Sequence, residues 1–409
     1  MKTKLLMIAA AILLALPSIA RAQSLAGLWD ATVVVNGVEV PFRMEIAGSG
    51  AGVKGSFFNG DEKVTSTTGQ FTNGALVLSF DEYETKLEAT LKDGTLDGQY
   101  SRSTRGAPYP FHARRFVVTA PTDAKVPSIA GLWNIQTKSS KGESAWHLIV
   151  RQSGSEVSAA ILRVDGDTGT LTGAYRNGTF VLGHFSAARP MRLEIAPQAD
   201  GSLSLVQNDE RDKPMAAIRA EQALAKGLPQ PSDPSRFTSV KDPTEPLRFS
   251  FADLNGRIVS NTDERFRGKV IIVDISGSWC PNCHDETPFL VELYRKYHDR
   301  GLEIVALSFE EAAQLKNPTR LRAFIKHYGI QYTVLVPGEP REASDKLPQT
   351  VNLNSFPTTF FLGRDGRVRS AHAGFPGKAS GTFHEQAKQE MTHTVEQLLA
   401  ESVQSSSGK

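Results

Sequence analysis

The chain has 409 residues and a formal net charge of +2, from 46 Lys and Arg against 44 Asp and Glu, which leaves no basic excess for a nucleic-acid partner. At roughly 100–200 residues per domain, that length implies two to four domains. It holds only two cysteines, so disulfides cannot staple several domains and apolar cores must hold them.

The first 22 residues carry the marks of a secretory signal peptide. Lys2 and Lys4 start it, Leu5 to Leu16 is apolar, and Ala20-Arg21-Ala22 resembles a cleavage site. The apolar run is shorter than the roughly 20 residues a membrane span takes, although an uncleaved anchor is the alternative. No cysteine follows the cleavage site to carry a lipid. Losing Lys2, Lys4 and Arg21 turns +2 into −1. The expectation is an exported, periplasmic protein beginning near Gln23, with no stable membrane anchor and no nucleic-acid partner.

Two stretches then repeat. "SLAGLWDATV" from Ser24 returns as "SIAGLWNIQT" from Ser128, and "GQFTNGALVLSF" from Gly69 as "GAYRNGTFVLGHF" from Gly173, both 104 residues on. A common offset indicates two copies of one unit, residues 23–122 and 126–224. Each alternates apolar and polar residues between Asn36-Gly37, Asn73-Gly74, Asp93-Gly94 and Asn177-Gly178, which are hairpin signals because both turn positions take positive φ. About seven or eight antiparallel strands per unit are expected, closing a small all-β barrel or sandwich. Gly27-Leu28-Trp29 and Gly131-Leu132-Trp133 resemble the first strand of lipocalin-like barrels, though a tryptophan plugging a β core explains them as well. His112, His147 and His184 are scattered and form no catalytic cluster; only His147 lies in a strongly apolar run.

Residues 225–246, "AKGLPQPSDPSRFTSVKDPTEP", read as a Pro-rich linker or boundary strap, and residues 401–409 as a disordered tail. Between them, 247–400, the element types change. "VIIVDI" and "LEIVALSF" suit strands buried on both faces. Leu321, Phe324, Ile325 and Tyr328 mark one amphipathic helix, and Phe383, Ala387, Met391, Val395 and Leu398 the last one. Strands alternating with helices predict an α/β domain around a mostly parallel sheet. The fold class is multi-domain: two duplicated all-β domains followed by an α/β domain.

Both cysteines fall here, in "ISGSWCPNCHDETPF". A C-x-x-C at a strand-to-helix junction puts Cys280 at a helix N-terminus, where free N–H groups and the macrodipole favour the thiolate. Cys283, one turn on, can attack a mixed disulfide. Asp274 lies in the apolar strand, where burial raises a carboxylate pKa and suits it to take the Cys283 proton; pairing with Lys269 is the alternative. Trp279 is placed to shield the sulfurs, or simply to pack.

"FRGKVIIVDISGSWCPNCHDETPFL", Pro288 and "SFPTTFFLGRDGRVRSAHAGF" together resemble the TlpA/ResA-type thiol-disulfide oxidoreductases of the thioredoxin superfamily. The resemblance implies a thioredoxin-like fold over 247–400, a redox-active Cys280–Cys283 disulfide, a cis Pro357, and substrate contacts from Phe356 and Trp279. It also implies exported protein or small-molecule disulfide clients and a membrane thiol electron donor (DsbD/CcdA-like), with no cofactor. Asp274 stands where many such proteins have asparagine. Pro281-Asn282 lacks the histidine of strong oxidants, so the expected role is a disulfide reductase, with oxidase or peroxiredoxin-like antioxidant activity as alternatives. Cys280-Pro-Asn-Cys283-His284 also matches the c-type haem attachment motif, which would make His284 an axial ligand; otherwise His284 is expected to be a surface or N-terminal helix residue. No second Cys/His pair offers a metal site.

Overall fold

The computed structural model describes residues 25–118 and 126–401. The signal peptide, residues 402–409 of the expected tail and residues 119–125 lie outside the described residues. No helix among the described residues is long and apolar enough to cross a membrane.

Residues 131–219 form a closed barrel. Eight antiparallel strands run in a ring, sealed where Ala145–Ser153 pairs with Glu156–Arg163 and that strand pairs with Leu171–Arg176; a short ninth, Gly166–Asp167, hangs on its edge. Residues 27–115 form a nine-stranded antiparallel sheet in the same chain-order pattern, but Lys54–Asn59 and Thr68–Thr72 are not laddered together and the ring stays open. Turn chemistry accounts for the hairpins: Asn36, Asn73, Asp93 and Asn177 all take φ of 50–51°, each followed by a glycine at φ 81–88°.

Alternation buries one face of each sheet. Trp29 and Trp133 are buried at the base of the two cores. Each indole Nε1 donates to a carbonyl four residues back, Leu25 (3.1 Å) and Ile129 (2.9 Å), and each ring lies under an arginine, Arg115 or Arg219. The open sheet does not fill its own core. Phe185 and Ala187, from the second unit, belong to the first unit's cluster. Phe185 packs on Phe42, Phe57 and Tyr100 at 4.9–5.3 Å between ring centroids, and the Tyr100 hydroxyl lies 2.9 Å from the Ala187 carbonyl oxygen it donates to.

The segment expected as a linker is tied down along its length. Ser239–Val240 pairs with Thr350–Val351, Asn352 Nδ2 donates to Phe237 O, and Pro246 bridges to Arg367. Proline removes donors but leaves carbonyls, which the neighbouring domain satisfies.

The C-terminal domain is built on β1 (Val270–Ser276), α1 (Pro281–Tyr297), β2 (Leu302–Ser308), α2 (Thr319–Tyr328), β3 (Thr333–Leu335), β4 (Thr358–Leu362), β5 (Val368–Ala373) and α3 (Thr382–Ala400). The sheet order is β3-β2-β1-β4-β5. Only β1–β2 and β2–β3 are parallel; β1–β4 and β4–β5 are antiparallel. The core is therefore mixed, because the hairpin joining β4 to β5 cannot run parallel. Both faces are covered, so β1 is buried throughout. Ile271, Val273 and Ile275 face one cluster, while Val270 and Ile272 face the other with Leu290, Leu293 and Met391 of α1 and α3. Period-2 alternation thus points Asp274 toward α1. On α3 the buried face runs through His384, with Phe383 turned instead to His147 of the barrel, 4.9 Å between ring centroids.

Candidate functional site

Cys280 is the N-cap of α1, and its sulfur accepts from the Cys283 backbone N–H at 3.2 Å. The two cysteines are joined as a disulfide with Cα atoms 5.2 Å apart, and both are buried. That N–H is one of the free donors of the first helical turn, whose placement at a helix N-terminus favours an anion on the sulfur.

The loop ahead of Cys280 is rigid for identifiable reasons. A Cβ at Gly277 would sit 2.3 Å from Trp279 Nε1 and 2.6 Å from Phe309 O, so only glycine lets Trp279 donate to Phe309 O at 2.8 Å. Ser278 donates to the fully buried Glu310 through both N–H and Oγ–H, each at 2.8 Å. Arg320, also fully buried, closes the network onto Ser278 Oγ (2.8 Å), Glu310 (3.0 Å) and Glu311 (2.8 Å). A buried pair of this kind is tolerated because each charge meets several partners.

Trp279 lies 5.3 Å from Phe356, ring centre to ring centre, and the Phe356–Pro357 peptide is cis. Gly374 N–H donates to Pro357 O at 2.7 Å. The structure thus gathers Cys280, Cys283, Trp279, Phe356 and Pro357 at one end of the sheet.

Asp274 is buried and does not meet Lys269. It faces Glu286, a buried carboxyl on α1 one turn beyond Cys283, and Glu286 Oε1 accepts from Thr359 Oγ1 at 2.7 Å. Thr359 is itself the β4 residue opposite Asp274. One Asp274 oxygen has no partner among the described residues. Burial pushes Asp274 up to about 7, and burial followed by the neighbouring Asp274 charge drives Glu286 well above the usual carboxylate range. Two carboxyls in one dry site cannot both ionise, so the pair holds a proton near neutrality. Glu286 was missed in the sequence. Its signal is a charged residue three positions after Cys283, on the helix face that carries the second cysteine inward.

His284 lies in the first turn of α1, the N-terminal helix position expected of it, but it is buried and not at the surface. Its ring stacks on Tyr83 of the first β unit at 4.2 Å and meets Phe324 edge-on. Nδ1 pairs with the Tyr328 hydroxyl (2.9 Å) and Nε2 with Ser278 O (3.0 Å). With both nitrogens engaged and the ring enclosed, it is not presented as an axial haem ligand. Burial lowers its pKa to about 3.

The β units grip the rest of this helix start. Asn282 Nδ2 donates to Asp165 O at 2.6 Å, and Gly166, at φ +122°, bridges to Phe375. Arg189 reaches Asp285 (2.6 Å) and the Asp167 carbonyl (2.7 Å). From the first unit, Glu84 accepts from Gln314 (2.8 Å) and Thr319 (3.0 Å).

This arrangement of an N-terminal helix sulfur, a partner one turn on and a cis-proline segment across from them defines a dithiol/disulfide centre. Residues 244–371 match the model described as AhpC/TSA family. The chain is 30 % identical over 124 residues to the thiol-disulfide oxidoreductase ResA of Bacillus thuringiensis (strain Al Hakam), covering 30 % of this chain and 65 % of that one. It is 26 % identical over 130 residues to ResA of Bacillus subtilis (strain 168), covering 32 % and 66 %. A crystal structure of a putative thiol:disulfide interchange protein DsbE from Chlorobium tepidum aligns at 22 % identity over 36 % of this chain and 93 % of that one, with a TM-score of 0.29. The chain therefore spans just under two thirds of the length of these curated relatives, and the family match excludes both β units. Its C-terminal domain is thus similar to thiol-disulfide oxidoreductases of the thioredoxin superfamily.

Proposed function

We propose that this chain is an exported, periplasmic thiol-disulfide oxidoreductase that reduces disulfides. Reduced Cys280, as thiolate, attacks one sulfur of a client disulfide. That bond breaks, a Cys280–client mixed disulfide forms, and the departing client sulfur takes a proton. Cys283 then gives its proton to the carboxyl pair of Asp274 and Glu286 and attacks the Cys280 sulfur. The client leaves as a dithiol, two electrons richer, and the Cys280–Cys283 disulfide remains. A membrane thiol donor (DsbD/CcdA-like) returns two electrons to it. Phe356, ahead of Pro357, presents backbone to the client chain, and Trp279 keeps water from the sulfurs. Clients are exported proteins or small-molecule disulfides.

The observation that carries this reading is a cysteine sulfur capping a helix and bonded to its neighbour one turn on, in a domain that also buries a proton-holding carboxyl pair. Two measurements test it. Equilibration against glutathione should give a potential nearer thioredoxin's, about −270 mV, than the about −120 mV of a strong oxidant; the higher value would make the protein an oxidase. Cys283→Ala should retain clients covalently on Cys280, and an empty trap would refute client reduction.

We also infer that residues 23–122 and 126–224 are copies of one unit. In support, Leu25, Trp29 and Arg115 form the same contact set as Ile129, Trp133 and Arg219, each member 104 residues from its counterpart.

A further inference from the structure

Beside Trp279 lies a cleft of about 630 Å³, lined by Arg102, Thr104 and Arg105 of the first β unit and by Trp279, Glu311 and Ala313 of the catalytic domain. That volume is within the range of ligand clefts, ~300–1,000 Å³. We propose that the cleft selects clients whose disulfide is flanked by carboxylates, the acidic segment lying on Arg102 and Arg105 while its sulfur meets Cys280. This inference rests on the oxidoreductase reading above.

The two arginines are held ready. The Arg102 guanidinium lies over the Tyr109 ring, 4.2 Å from its centre, and has no hydrogen-bond or ion-pair partner among the described residues. Arg105 spends one Nη on the Tyr83 carbonyl, and the Nε–H of both residues is buried without an acceptor. The Nη donors of Arg102, which lines the cleft, have no partner among the described residues, and a carboxylate is the acceptor whose planar geometry matches a guanidinium. The acid in the cleft, Glu311, is already engaged: its Oε2 accepts from Arg320 at 2.8 Å. Arg320 is shared between Glu310 and Glu311, so Arg102, Arg105 and Arg320 against those two carboxylates leave one net positive charge, and the field favours a negative ligand. Trp279 belongs both to this cleft and to the contact with Phe356. A chain lying across the sulfurs would run from the arginines to the cis-proline edge, so the segment argued for is a peptide.

The full-length mature protein, reduced, would be mixed with three cystine-linked peptides that differ only in flanking Glu, Gln or Lys, with glutathione disulfide, and with neutral 4,4′-dithiodipyridine. The Glu peptide should be reduced about ten-fold faster than the Lys peptide at low salt, as one charge-assisted contact allows. The gap should close toward 0.5 M NaCl. Arg102→Gln should bring the Glu-to-Lys ratio close to one, and Arg102→Glu should invert it. Equal rates for the three peptides in the wild type, or a preference for anions confined to glutathione disulfide, would overturn the proposal. No reaction with the neutral disulfide would instead remove the dithiol chemistry beneath it. Salt dependence of the wild type reads the proposal even if a variant misfolds.

Discussion

The β units and the C-terminal domain bury carboxylates on different terms. In the β units, Glu82 accepts from Thr67, Glu143 from Ser139 and Val164, and Asp167 from Gly169 and Ser380. Around the cysteines, Asp274 keeps an oxygen that no described donor reaches, beside a second buried carboxyl. A buried carboxylate whose oxygens are satisfied is part of the frame, whereas an unsatisfied one costs stability and is retained where proton transfer needs it. The comparison also separates the cores: aromatic rings fill the first β unit, while Glu310 and Arg320 are buried within the C-terminal domain.

The sharpest way to break this contrast is to empty the shared aromatic core. Phe185→Ala removes a ring that belongs to the second unit in sequence and to the first in space, so about 3–5 kcal/mol should be lost. Proteolysis should show the strands of residues 27–115 released first. Arg320→Met should cost a similar amount, about 3–5 kcal/mol, because Glu310 is left buried with its charge partner gone; chemical denaturation measures it, and the double change with Glu310→Gln should recover part of the loss.

Asp274→Asn should go the other way. The folded pKa is raised from 3.8 to about 7, so the folded state holds a proton that the unfolded state has released. Between about pH 4 and pH 7 stability therefore falls as pH rises, and above pH 7 the full penalty remains. The variant should gain about 2–4 kcal/mol at pH 8 and little at pH 3.5, while Cys283-dependent release of a mixed disulfide slows and loses its inflection near pH 7. A variant less stable at pH 8 would place Asp274 in the frame after all. The smallest effect expected is at the paired tryptophans. Trp29→Phe and Trp133→Phe each remove one indole hydrogen bond and should each cost about 1 kcal/mol. Unequal losses would show how far the open sheet and the closed barrel differ in rigidity.

Much of the local structure was legible because it depends on neighbouring residues. The Asn-Gly and Asp-Gly turns, the tryptophans in the cores, the helix beginning after Cys280 and the buried strand Val270–Ser276 follow from turn chemistry and periodicity. The cysteines and Trp279, singled out by local pattern, and Phe356 and Pro357, singled out by the family resemblance, lie together at one end of the sheet. Glu286, the Glu310–Arg320 pair and the grip of Arg189 on Asp285 were not legible, because each joins residues far apart in the chain or on different elements. The burial of His284 was not legible for the same reason: its neighbour Tyr83 is in another domain. The strap over 225–246 showed only its prolines and not the Thr350–Val351 edge that receives it.

What the sequence determined by itself is where strands turn, which residues face inward, and that two thiols sit one helical turn apart, since these follow from steric and periodic rules within a few residues. Only the tertiary structure decided that one β unit closes and the other takes Phe185 from its neighbour, that Asp274 meets Glu286, and that two arginines flank Trp279. Burial and long-range pairing set those outcomes, and neither is a property of any short stretch of chain.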